Sequence, residues 1–138
     1  KAACNILDAC ISHIYHQRML EVRNLDTAQQ IEKYINDNIA WDLSIEHLCA
    51  HFSVSRAELY QIFHTSFNSS VADYIRSKRI SMAEQMIRST AMQISEIASN
   101  VGFYDYNYFS KVFHRKFGCS PREYRKKLES GSEAADKK

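Results

Sequence analysis

The chain has 138 residues, 45% hydrophobic and 25% charged, with a formal net charge of +2 at pH 7; this excludes a disordered or fibrous chain and leaves enough apolar material for a core. Three Gly and one Pro are too few for a sandwich or barrel that turns every few residues, so an all-α fold is expected. No apolar run approaches the ~18 residues that span a bilayer, and the sequence starts at Lys1 without a signal-peptide pattern, so it reads as a fragment of a longer cytoplasmic protein with no membrane partner.

Charge is unevenly spread. Residues 1–52 carry four Lys/Arg against seven Asp/Glu, residues 53–130 twelve against seven, and the last eight two of each. The basic stretch 53–130 points to an anionic partner. Cys4, Cys10, Cys49 and Cys119 include no Cys-x-x-Cys, and reduced thiols are expected. Cys10, His13 and His16, with Cys4 before them, are zinc-binding residue types. Their three-residue spacing drifts about 60° per step around a helix, so no metal is expected there, and no cofactor is implied elsewhere.

In chain order, residues 2–22 predict a helix with Cys4, Leu7, Ile11 and Ile14 at 3-4-3 spacing, a stripe that stops at Arg18. "RNLD" (23–26) reads as a joint, after which Asp26 caps a helix through Gln29 whose apolar face is Ile31, Tyr34, Ile35 and Ile39. Ser44 caps a short helix over 45–51 with Leu48, Cys49 and Phe52 inward. Ser55 and Glu58 form a capping box for a helix over 56–66 that buries Leu59, Ile62 and Phe63. A short helix, a tight turn and a longer helix is the helix-turn-helix plan, here about 44–66. The longest helix, about 70–88, turns Val71, Tyr74, Ile75, Met82, Ala83, Met86 and Ile87 inward and is ~27 Å long. A further short helix from Ile94 ends at Gly102, expected to be left-handed. Asp105 caps a long helix to Phe117, and Ser120-Pro121-Arg122-Glu123 supplies N-cap, Pro at N1 and a capping-box Glu for the last helix. This second helix-turn-helix spans about 93–117, and residues 130–138 are expected to be a disordered tail.

The second half repeats the first. "IEHLCAHFSV" (45–54) aligns with "ISEIASNVGF" (94–103), and after one inserted residue "AELYQIFHTSFNSSVADY" (57–74) aligns with "NYFSKVFHRKFGCSPREY" (107–124). Leu59 pairs with Phe109, Ile62 with Val112, Phe63 with Phe113, Phe67 with Phe117 and Tyr74 with Tyr124. Most rings of the second half therefore occupy core positions and are not base-stacking platforms. The outward residues of the second long helix are Tyr106, Asn107, Ser110, Lys111 and His114, flanked by Arg115; those of the first are Arg56, Ala57, Tyr60, Gln61, His64 and Thr65. Amide, hydroxyl and cationic donors near a helix start suit base edges and phosphates in a major groove.

"ISEIASNVGFYDYNYFSKVFHRKFGCSPREYR" resembles the AraC/XylS transcription regulators at Ile97-Ala98, Gly102-Phe103, Tyr108-Phe109, Phe113, Gly118-Cys119-Ser120-Pro121 and Tyr124-Arg125, with the likeness running from about Leu43 to Arg125. The resemblance implies a homeodomain-like, seven-helix DNA-binding domain at 25–129, in which a central linker helix joins two helix-turn-helix subdomains that enter successive major grooves. An extra N-terminal helix, 1–24, is then the remnant of a missing sensor or dimerisation domain. Base contacts carry over to Ala57, Tyr60 and Gln61, and to Tyr106, Asn107, Ser110 and Lys111; phosphate contacts are assigned to Arg56, His64, Thr65, His114 and Arg115. The first unit departs from the family pattern, with Tyr60-Gln61 where many members have a polar residue and Arg, and His64-Thr65 where many have two Lys. The implied partners are a double-stranded operator, RNA polymerase for an activator, and a small-molecule effector on the missing domain, in a bacterial cytoplasm. No enzyme is expected: His47, Cys49 and His51, or His114 with Cys119, lack an oxyanion-forming loop.

Overall fold

The computed structural model describes the backbone of residues 2–136 and the side chains of 7–131. Among them the order is α1 (Ala2–Asp37), α2 (Ile45–Phe52), α3 (Arg56–Phe67), α4 (Val71–Ser89), α5 (Ile94–Asn100), α6 (Tyr106–Phe117) and α7 (Pro121–Asp136), with no strand. They form two compact units, the chain up to Ile35 with Ser44–Val71, and Asn36–Leu43 with the chain from Ala72 onward. No described helix is long and apolar enough to cross a membrane.

The joint expected at 23–26 is absent, because α1 runs unbroken through it. Polar residues without Gly or Pro do not stop a helix. Asp26 does not cap; its Oδ2 accepts from Gln30 Nε2 at 3.1 Å, one turn on, while Thr27 Oγ1 donates to Arg23 O at 2.8 Å. Among the described side chains of α1 the buried ones are Ala28, Ile31 and Ile35 in its later part, whereas Leu7, Ile11 and Ile14 stay 54–62% exposed. Cys10, His13 and His16 are exposed, and the side chain of Cys4 lies outside the described residues. At the other end α7 continues to Asp136, past residue 130 where order was expected to end; Ser130 Oγ donates back to Lys126 O at 2.9 Å. Residues 137 and 138 lie outside the described backbone.

In the first unit Ser44 Oγ accepts from His47 N at 3.2 Å, and Ser55 and Glu58 close the expected capping box before α3. Between α2 and α3 Ser53 takes φ +53°, and Asn68 ends α3 at φ +48°. Leu48, Leu59, Ile62 and Phe63 are buried as their spacing predicts; Cys49 and Phe52 are half-buried. Tyr34 ties α1 to α2: its ring lies 4.1 Å from His51 and edge-on to Phe52 at 5.5 Å, and its hydroxyl meets His47 Nε2 at 2.7 Å.

The second unit buries Ile80, Ala83, Ile87, Ile94, Ile97, Ala98, Val101, Phe103, Phe109 and Phe113 as one cluster. Ile80, 1% exposed, is missing from the inward positions read off the sequence, while Met82 and Met86 only flank the cluster. Neighbouring rings run from Phe103 to Phe109 at 5.2 Å, to Phe113 at 5.9 Å and to Phe117 at 4.5 Å, with Tyr124 edge-on to Phe113 at 5.5 Å. Such pairs each add about 0.5–1.5 kcal/mol beyond area burial. Asp105 Oδ1 accepts from Asn107 N at 2.9 Å, Gly118 ends α6 at φ +76°, and Ser120 and Glu123 exchange the two bonds of a capping box at 2.9 and 3.3 Å. The bond donated by the Ser120 backbone N–H, with the Ser120 hydroxyl adding to it, holds the Glu123 carboxyl below its ordinary value.

Gly102 shows why its position demands glycine. Its φ is +92°, and a Cβ there would sit 2.8 Å from Ile39 O and 2.9 Å from Arg79 Nε. Arg79 itself donates to Ile39 O at 3.1 Å and Trp41 O at 3.0 Å. Gly102→Ala is therefore expected to lose at least about 1–2 kcal/mol, from left-handed strain alone, with the clash added. Ser53→Gly, at the matching turn of the first unit, should gain up to about 1 kcal/mol. Urea unfolding of the two variants checks both signs.

Tyr124 donates to Glu84, Arg88 NH2 donates to the Tyr124 hydroxyl at 2.8 Å, and Arg88 Nε donates to Glu84 Oε1 at 2.6 Å. Burial pushes the Glu84 carboxyl up, but the bonds from Tyr124 and Arg88 outweigh it and leave it below the ordinary range. A carboxyl lowered in the folded state adds stability that is full above its unfolded value of about 4.3 and is lost as pH falls through the folded value. Unfolding midpoints measured from pH 6 down to about pH 3 should fall less steeply in Glu84→Gln than in the parent chain. An identical slope in the two would remove Glu84 from the acid response.

Candidate nucleic-acid interface

Both long helices of the repeat start from a fixed turn. Ser55 and Asp105 cap α3 and α6, and the residue that reverses the chain before each cap, Ser53 or Gly102, has positive φ. Leu59, Ile62 and Phe63 anchor α3 from one side, and Phe109 and Phe113 anchor α6. Helical periodicity then turns the intervening residues to solvent.

On α3, Ala57, Gln61, His64 and Thr65 are exposed and Tyr60 is 48% exposed. Two of its polar groups are already engaged. Arg56 pairs with the Glu46 carboxylate of α2, and Thr65 Oγ1 donates to Gln61 O at 2.8 Å. Tyr60 and His64 also line an open cavity of roughly 400 Å³ with Asn68 and Ser69.

On α6, Asn107, Lys111, His114 and Arg115 are exposed. Lys111 and Arg115 have no hydrogen-bond or ion-pair partner among the described residues, so their charge is available to an incoming anion. Lys116, next along, donates instead to Ser81 Oγ at 2.9 Å. Two expected base-facing residues sit at the core margin: Tyr106 is half-buried, 6.2 Å from Phe109, and Ser110 is half-buried. Tyr106 thus packs against the core cluster and is only partly open to solvent.

Reading by repeat position overlooked Tyr104, which is 92% exposed in the turn before α6. Its signal was the single residue by which the second turn exceeds the first. It also overlooked Arg122 and Lys126, whose exposed positions on α7 border the start of α6 only in three dimensions. Cys119, considered with His114, is buried at 6% exposure, and His47 holds the Tyr34 hydroxyl.

Residues 48–127 match the family described as a helix-turn-helix domain. Over 100 residues the chain is 32% identical to the HTH-type transcriptional activator RhaR of Cronobacter sakazakii, a match covering 72% of this chain and 35% of that protein; the chain thus spans about a third of the relative's length. It is 33% identical over 104 residues to the regulatory protein SoxS of Escherichia coli, covering 70% of this chain and 97% of SoxS. The crystal structure of a transcriptional regulator of the AraC-type DNA-binding-domain proteins from Chromobacterium violaceum superposes with a TM-score of 0.67 at 25% identity, over 78% of this chain and 94% of that one. With two capped helix-turn-helix units and these matches, the chain belongs to the AraC-type helix-turn-helix family of DNA-binding transcription regulators.

Proposed function

We propose that the chain binds specific sites in duplex DNA as the DNA-binding part of a bacterial transcription regulator, with α3 and α6 each entering one of two successive major grooves. The observation that carries this reading is the repeated exposed helix face behind a fixed turn, furnished on α6 with Lys111 and Arg115, which have no partner among the described residues. In this reading Tyr106, Asn107, Ser110 and Lys111 read bases from α6, and Ala57, Tyr60 and Gln61 read them from α3. Gln61 pairs bidentately with adenine, and Lys111 approaches guanine acceptors. Arg56, His64, Thr65, His114 and Arg115 meet phosphates; Arg56 must share its charge with Glu46 or release it.

The same reading places the protein in the cytoplasm, where a regulator meets DNA, acting by binding rather than by catalysis. An effector-responsive segment on the longer protein and contact with RNA polymerase complete it; the similar RhaR is a transcriptional activator.

The test is site selection from random duplex, then binding of three variants to the selected and random sequences at several salt concentrations. Lys111→Ala is expected to cost about 1–3 kcal/mol on the selected site and to relax preference at one or two bases. Gln61→Ala should cost less and act at an A·T pair. Arg115→Ala should weaken all sequences alike and lower the salt slope by about one. Unchanged specificity in Lys111→Ala together with its loss in Gln61→Ala would reverse the assignment of the main reader.

A further inference from the structure

A basic concavity in the second unit shares only Tyr106 with the contacts assigned above. It is an open cavity of roughly 620 Å³ whose walls come from the start of α5 (Gln93, Ser95), the first residue of α6 (Tyr106) and one face of α7 (Arg122, Arg125, Lys126). Three cations face one acid, Glu129.

The three cations differ in their freedom. Arg125 is fixed in the wall, donating through NH1 to Met92 O at 2.7 Å and through NH2 to Thr90 O at 3.4 Å, and its Nε is buried without a hydrogen-bond partner. Arg122 and Lys126 are exposed, and their charged groups have no partner among the described residues. They stand four residues apart on α7, with Arg125 between them, so like charges crowd one helix face. Such i,i+4 repulsion is unfavourable and is relieved when an anion sits between the charges. The Gln93 amide and Ser95 hydroxyl add neutral donors on the facing wall, and the space exceeds what a bare oxyanion fills.

Tyr106 decides which anion. It is a wall of the cavity and also opens α6, so a group held in the cavity lies beside the turn that reads bases. A helix in a major groove is flanked there by the backbone of the duplex. Resting on the reading given under Proposed function, we infer that this cavity takes a backbone phosphodiester of the operator, gripped by Arg122 and Lys126, at the flank of the groove that α6 enters. A free phosphorylated small molecule offers the same chemistry, and the test separates the two sources.

Binding of the selected site and of random duplex is measured across a salt series for the parent chain, Arg122→Ala, Lys126→Ala, Arg122→Lys and the double alanine variant. Each alanine variant should lower the salt slope by about one and the double variant by about two, with the ratio of specific to random affinity unchanged. Arg122→Lys, which keeps the charge, should retain most of the slope. Ethylation interference on the parent chain, which needs no variant to fold, should mark a phosphate at the edge of the half-site read through Lys111. That mark should be absent for the double variant. A parent chain that binds specifically, while the double variant shows the same slope and the same interference pattern, overturns the inference but leaves the reading of α6 intact. A parent chain that binds no duplex overturns both. Inorganic phosphate that at millimolar concentration perturbs Tyr106 resonances in the parent but not in the double variant, with operator binding equal in the two, assigns the cavity to a free anion and also overturns the inference.

Discussion

A helix can offer its first turn to a partner only when the turn before it is rigid, and in each unit that turn depends on one residue held at positive φ, Ser53 at +53° and Gly102 at +92°. In the second unit the constraint is physical contact. Arg79 reaches from α4 to the carbonyls of Ile39 and Trp41, and the Gly102 backbone lies so close to that guanidinium and to Ile39 O that a Cβ has no room. Three stretches distant in sequence meet at that point. The start of α6 is therefore set by tertiary packing as well as by the Asp105 cap, whereas α3 leans on its capping box and accepts a strained serine.

The rings of the second half serve the same end. Phe103, Phe109 and Phe113 point into a closed cluster, with Phe117 and Tyr124 packed against it. Tyr124 then turns its hydroxyl to Glu84 and Arg88, so the cluster ends in a polar network on α4. Rigid packing on one side of α6 leaves its other side to chemistry. The interleaving of rings with cations in this stretch is the alternation of an amphipathic helix: apolar positions recur every three or four residues, and Lys111 and Arg115 fall between them.

What was legible in the sequence was local. Ser55 with Glu58 and Ser120 with Glu123 formed the expected capping boxes, because such a box involves residues only three apart. The repeat placed Phe109 and Phe113 in the core, since two copies of one plan must bury the same positions. What misled was polarity taken as a proxy for irregular backbone. Residues 23–26 look like a loop, yet they hold no helix breaker, and Thr27 and Gln30 bond within the helix. Tyr106 reads as outward by its position on α6, but Phe109 draws its ring to the core margin. The cation-lined cavity was illegible because its walls come from α5, α6 and α7, and no periodicity connects Gln93 with Lys126.

The two units share a backbone plan and differ in electrostatics. In the first, the Arg56 cation is matched by Glu46, and the exposed Tyr60 and Gln61 are neutral. In the second, Lys111 and Arg115 have no partner among the described residues, and Arg122 and Lys126 add a further pair of cations around the start of the same helix. Attraction to phosphate is long-ranged over roughly a Debye length of 8–10 Å at physiological salt, whereas base hydrogen bonds act only at contact. On the proposed reading the second unit is therefore captured first and more often, on any sequence. The first unit, with little charge to hold it to the backbone, then contributes where its neutral donors and apolar edges match the bases they face. Discrimination by α3 is in that case conditional on anchoring by α6, so sequence preference in the first half-site should weaken along with the electrostatic grip of the second.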